Sequence, residues 1–216
     1  MLSEPLYPET VPDTTVRDQD NSDDDDEEDH TGYIAPEKKQ IEEYVQLDYH
    51  DESLRRWKES LGLTMNSGTA RTIGDPDDKR NLVLLSITSY VDGEEPIVID
   101  FTNVDQLNGM QYKPIKVKQR TQYHLKLRFR IQHEIITGLH YYTINKRRGI
   151  TFNKVREVCG AYAPNTPDRP YYEYNLPKRI VPGGFIARGQ YKAQTFLKDD
   201  DNVIHVAFPW LFEITK

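Results

Sequence analysis

The chain has 216 residues, 37% hydrophobic and 29% charged, with a formal net charge of −7. That length suits one domain of ordinary size plus an extension, and no apolar run approaches the ~18 residues that a membrane-spanning helix needs. A single cysteine, Cys159, rules out an internal disulfide, and no CxxC or His/Cys cluster has zinc spacing.

The charge is unevenly placed. Residues 1–32 carry twelve acids against one base, Arg17, for a net −11, and the rest of the chain carries +4. The seven successive acids Asp23–Asp29 repel one another and cannot pack, so residues 1–32 are expected to be a disordered acidic tail. Besides aiding solubility, such a tail attracts a basic partner, mainly through association rate and less so in salt. It argues against nucleic acid and against an anionic membrane as direct ligands. The opening MLSEPLYPETVPD has neither a basic n-region nor an apolar h-region, which reads as no secretory signal. With one cysteine and no terminal CaaX box, a reducing, cytoplasmic setting is expected.

Residues 33–63 read as a helical arm. Ile41, Tyr44 and Val45 fall at i, i+3, i+4, and Leu54, Trp57 and Leu61 at i, i+3, i+7. Asp48 and Asp51 are good caps, so two short helices with a turn near Leu47–Asp51 are expected, the second stopping at Gly62. Each is too short to be stable alone, which makes the arm a docking element ordered on a partner. Residues 64–80, rich in Gly, Asn, Ser, Thr, Asp and Pro, read as a linker.

Residues 81–216 read as strands. Leu82–Tyr90 is apolar and β-branched, and Ile97–Phe101 follows across Asp92-Gly93. Tyr123–Ile131 alternates without a flaw, with Tyr123, Leu125, Leu127, Phe129 and Ile131 on one face. Leu139–Ile144, Glu157–Tyr162, Tyr171–Tyr174 and Gln190–Leu197 continue the pattern. His205–Ile214 closes it, with Pro209 marking an edge or a bulge. About eight strands separated by turns, with no helices between them, predict an all-β antiparallel sandwich.

Signatures of catalysis are missing. There is no GxxxxGK[ST] loop, no GxGxxG after a strand, no GxSxG elbow and no HExxH. His133 and His140 flank a turn at Gly138 without metal spacing. Asp199–Asp201 reads either as a cation site or as a polar hairpin tip. Nothing assembles a nucleophile, a base and an oxyanion donor, so the chain is not expected to be an enzyme, and no metal or cofactor is expected.

Several motifs together resemble the Rho GDP-dissociation inhibitors. YIAPEKKQIEEYVQLDYHDESLRRWKESLG (Tyr33–Gly62) is similar to the family's regulatory arm, above all in LDxxDESLRxxKExL. YHLKLRFRIQHEIITGLHY (Tyr123–Tyr141) resembles its central strand pair. GAYAP (Gly160–Pro164), IARGQY (Ile186–Tyr191), Asp199–Asp201 and a final strand bearing Trp210 follow in the family's order. The resemblance covers Tyr33 to Lys216.

It implies an immunoglobulin-like sandwich whose sheets part to hold the geranylgeranyl tail of a Rho- or Rac-like GTPase, in its GDP-bound form by preference. The arm would lie on the GTPase switch regions and block GDP release. The pair would form a 1:1 heterodimer, drawn from membranes into the cytosol without stable membrane insertion by the inhibitor. Carried over by motif, Asp51, Ser53, Leu54, Trp57, Asp200 and Asp201 would face the GTPase, with Leu47 packing in the arm. Ile87, Ile115, Tyr123, Ile135, Ala193, Phe208 and Trp210 would line the slot. Ile115 stands where the family has an aromatic and Phe208 where it has Trp, and Arg156, Lys178 and Arg179 stand where it tends to be acidic. A prenyl chain of ~20 carbons, at ~0.8 kcal/mol each, gives at most roughly 10–15 kcal/mol on burial. The bilayer offers a similar gain, so extraction requires protein contacts as well. The alternatives are a general prenyl- or acyl-lipid chaperone of related sandwich fold, which would lack the arm motif, and a calcium-dependent enzyme or lectin using Asp199–Asp201.

Overall fold

Alternating apolar residues build the fold, and their inward faces decide where it is solid and where it is hollow. A computed structural model of the chain describes residues 47, 50–60, 73, 77–103, 105, 107, 109 and 112–216, all within the compact unit Lys39–Lys216. The expected acidic tail, the first arm helix around Ile41–Val45, Asp48, most of the linker and the side chain of Trp57 lie outside the described residues.

One described helix, α1 (Glu52–Ser60), precedes ten strands. These are β1 (Leu82–Val91), β2 (Ile97–Asp100), β3 (Ile115–Lys118), β4 (Gln122–Ile131) and β5 (Ile136–Arg147). Then come β6 (Ile150–Tyr162), β7 (Tyr172–Asn175), β8 (Arg179–Ile180), β9 (Gly189–Lys198) and β10 (Ile204–Thr215). The first sheet runs β2-β1-β4-β7, with β8 also on β4, and the second runs β3-β10-β9-β5-β6. The fold is therefore an all-β, immunoglobulin-like sandwich. Its pairs are antiparallel except β3 with β10, which is parallel from Ile115↔Phe212 onward. No hairpin joins β3 to β10, so nothing fixes their directions as antiparallel.

The alternation of β4 survives intact. Leu127, Phe129 and Ile131 are fully buried, and Val91 to Leu82 of β1 run opposite Tyr123 to Ile131. A bulge between Leu84 and Ser86 resets the phase, so that Leu84 and Ile87 both face inward. The two sheets meet through edge-on rings: Phe129 against Tyr162 with centroids 4.9 Å apart, and Phe101 against Phe208 at 4.8 Å. Leu82, Phe129, Ile131, Ile136, Leu139 and Leu197 fill one end.

β5 and β6 form a longer hairpin than expected. They turn at Arg148 and Gly149, both at positive φ (50° and 87°), the geometry of a two-residue primed turn. Pro209 is exposed and pairs only toward β9, since β3 covers β10 from Phe212 onward. The missing N–H thus sits where β10 is locally an edge, as proline requires.

Candidate functional site

Away from the filled end the sheets enclose an apolar cavity. It holds about 1130 Å³ of atom-free space, part of it the open mouth. The first sheet contributes Ile87 and Ser89 from β1, Ile99 from β2, and Tyr123 and Leu125 from β4. The second contributes Ile115 and Val117 from β3, and Phe208, Trp210, Phe212 and Ile214 from β10. Tyr141, Thr143 and Asn145 of β5 and Phe152, Asn153 and Val155 of β6 form the floor. Leu176, Pro177, Arg179, Val181 and Pro182 complete the rim. The hollow follows from strand chemistry. The inward positions of β10 alternate large aromatics at one level, while those of β5 become polar at Thr143 and Asn145, too short to fill the space opposite.

Five expected slot residues, Ile87, Ile115, Tyr123, Phe208 and Trp210, are brought to this wall. Ile135 and Ala193 are not. Ile135 lies before β5, beside the filled end, half-buried. Ala193 is buried and faces inward, but its methyl is flanked by the registered Asn145 and Trp210, which reach the cavity ahead of it. Leu125 and Phe212 were readable in the sequence as members of the alternating faces of β4 and β10. Phe152 and Val155 belong to the half of β6 whose polar neighbours hid its alternation, and Val181 and Pro182 follow the two-residue β8.

Polar tethers fix the wall. Trp210 Nε1 donates to Thr195 Oγ1 at 3.0 Å, and Thr195 Oγ1 lies 2.8 Å from Thr143 Oγ1, so the indole is anchored at its one polar atom. Asn145 Nδ2 donates to Asn153 Oδ1 at 2.8 Å, leaving Asn145 Oδ1 buried without a donor. Burial raises the phenol pKa of Tyr141 and of Tyr123, and the Arg179 charge partly opposes this at Tyr123. Burial likewise pushes the Cys159 thiol up to about 11, which makes it packing rather than a nucleophile.

The acidic hairpin lies at the filled end, between β9 and β10. Asp199 is buried: one carboxylate oxygen accepts from the N–H of Asp201 (3.0 Å) and of Val203 (2.9 Å), and the other lies 2.9 Å from His205 Nε2. One oxygen serves the turn and the other ties it to β10, which fits the polar-tip reading of the triplet. Asp200 reaches His140 Nε2 at 2.8 Å and its N–H donates to Thr137 O. Asp200 and Asp201 are exposed. The partners His140 and His205 had no sequence signal, because pairing across strands depends on register.

In the arm, Asp51 caps α1, its Oδ1 accepting from the N–H of Ser53 (2.8 Å) and Leu54 (3.1 Å). Arg56 pairs with Glu52 at 2.6 Å, and Lys58 donates to the carbonyl of Leu47. Ser53 and Leu54 are exposed, so Leu54, the first residue of the apolar stripe, is left uncovered.

Comparison with known proteins shows the family of the chain. The profile of the family described as RHO protein GDP dissociation inhibitor matches residues 18–216. The Rho GDP-dissociation inhibitor of Saccharomyces cerevisiae is 43% identical over 85% of this chain and 90% of its own length. That of Schizosaccharomyces pombe is 35% identical over 83% and 84%. Rho GDP-dissociation inhibitor 1 of Homo sapiens is 30% identical over 88% and 89%. With nearly its whole length matched and relatives covered almost end to end, the chain belongs to the Rho GDP-dissociation inhibitor family.

Proposed function

We propose that this chain binds a GDP-loaded, geranylgeranylated Rho-family GTPase one to one, holds its prenyl tail in the inter-sheet cavity, and lays its arm on the switch regions to slow GDP release. The observation that carries the reading is the apolar cavity between the sheets, walled by Ile87, Ile115, Tyr123, Phe208 and Trp210. A monomeric fold gains nothing from such a hollow, since unfilled apolar space forfeits packing. A slot for a hydrocarbon chain restores it. The arm supports the second half: α1 is capped by Asp51, with Leu54 uncovered for a partner. Asp200 and Asp201 add exposed acids to that contact. The consequence is a soluble, inactive GTPase withdrawn from membrane into cytosol. The chain acts as a regulator, without catalytic chemistry of its own.

Two substitutions separate the halves. Ile115→Glu puts a charge at the wall from the half-buried edge strand β3 and should weaken binding of a geranylgeranylated peptide on the order of a hundredfold. Asp51→Ala should leave peptide binding unchanged while weakening inhibition of GDP release. Fluorescence titration with the peptide and release of a labelled GDP read the two effects. Equal losses in both assays for both variants would refute the division. Peptide binding with no effect of the wild-type chain on GDP release would favour the lipid-chaperone alternative.

A further inference from the structure

The end of the sandwich opposite the Asp199–Asp201 hairpin carries a second surface. Three segments converge there: the turn between β3 and β4, the β5–β6 turn at Arg148 and Gly149, and the loop from Pro182 to Arg188. Arg120 N–H donates to Val181 O at 2.9 Å, and Gly184 N–H to Gln119 Oε1 at 2.9 Å. Arg147 donates to the carbonyls of Ile186 and Arg188. A side chain on Gly183 would strike Arg120 at 2.7 Å, so the loop lies directly against the turn. These bonds hold bulky apolar side chains outward: Phe185 is 87% exposed, Ile186 84% and Ile150 75%.

The three segments carry charge of one sign. Residues 113–120 contain four cations, 146–156 five and 178–192 four, and none of the three segments contains a carboxylate. The acids that reach this end from neighbouring elements are Asp92 and Glu95, exposed in the β1–β2 turn; Glu94 of the same turn, 3.7 Å from Lys118; Glu157, paired with Arg179; and Glu213, registered against Gln190 and Lys116. The thirteen cations outnumber these five acids more than twofold. The surface also continues the cavity wall: Val181 and Pro182 line the cavity and lead straight into the Phe185 loop, and Phe152 both lines it and is exposed.

We propose that this end docks reversibly on an anionic lipid surface, with Phe185 and Ile186 entering the headgroup boundary and the surrounding lysines and arginines holding acidic headgroups. Protruding apolar residues ringed by cations fit an interface that is negative at its surface and apolar just beneath. The acidic tail argues against such a ligand for the chain as a whole, but a charged surface attracts groups within a Debye length, about 8 Å at physiological salt. The proposal rests on the slot reading, to which it adds how the slot is brought beside a membrane-embedded prenyl group.

The test is sedimentation of the full chain, without GTPase, with vesicles of phosphatidylcholine alone or mixed with phosphatidylserine. Binding should require phosphatidylserine and fall as salt rises. Phe185→Ser with Ile186→Ser, and separately Arg148→Glu with Lys154→Glu, should each weaken it on the order of tenfold. All four residues are exposed and outside the cavity wall, so binding of a soluble geranylgeranylated peptide should be unchanged and certifies folding. A wild-type chain that binds the peptide but not the acidic vesicles overturns the docking and leaves the slot standing. Vesicle binding that needs the cations but ignores Phe185→Ser and Ile186→Ser marks a polyanion site and also overturns it. Failure of the wild-type chain to take up the peptide removes the slot reading and the proposal with it.

Discussion

Gly138 shows how one residue ties two strands together. It sits at φ +56°, and a Cβ there would lie 1.8 Å from the Asp200 carboxylate. Its bareness admits Asp200 against β5, where the carboxylate reaches His140 and the backbone meets Thr137. Gly138→Ala should therefore cost about 2 kcal/mol, from a left-handed alanine and a displaced Asp200. In an Asp200→Ala background the same change should cost only about 1 kcal/mol, because the backbone penalty alone remains. Urea unfolding of the four proteins in this cycle measures the difference, and equal costs in both backgrounds would show that Gly138 and Asp200 do not couple. The sequence marked Gly138 only as a turn. The residue it accommodates lies sixty-two positions away and became visible through the fold.

At the scale of elements, α1 and β6 point in opposite directions. The cap at Asp51 was legible because it is local, its partners two and three residues away, and the structure adds an exposed Glu52–Arg56 pair one turn apart. Such local terms total only a few tenths to about 1 kcal/mol each, too little to hold nine residues helical by themselves. A peptide spanning residues 33–62 should show little helix by circular dichroism and gain it on adding GDP-loaded GTPase. Strong helicity of the free peptide would contradict a docking element. β6 was only half legible. Ile150–Arg156 is mostly exposed and lies ahead of the strand expected from the sequence, Glu157–Tyr162, yet pairing with β5 through a primed turn at Arg148-Gly149 makes it strand. The short β3 and β8 were not legible either: IKVK alternates with lysines over only two apolar residues, and β8 is two residues long.

For the whole molecule the decisive quantities are charge distribution and the hollow. Net −11 in residues 1–32 against +4 elsewhere makes the chain a dipole of sequence segments. Deleting residues 1–30 should slow association with a basic GTPase tail roughly tenfold at low ionic strength, and the deficit should vanish at high salt. Stopped-flow mixing across a salt series reads this directly, and identical on-rates at low salt would show that the tail does not steer. The cationic end around Phe185 would, in turn, repel the same basic tail, which gives the acidic segment something to offset.

The sequence alone determined the sandwich, through the strict alternation of β4 and β10. It also determined the Asp51-capped helix α1 and the family, because period, caps and motifs are local and each residue carries its share. The hollow was decided only by tertiary structure. Ile87, Tyr123 and Trp210 look the same whether an inward face meets a filled core or a void, whereas Ala193 and Ile135 share the same apolar character and stand off the wall. What separates them is placement by strand register: Ala193 sits between Asn145 and Trp210, which reach the cavity ahead of it, and Ile135 lies before β5 beside the filled end, and the partners that decide this are remote in sequence.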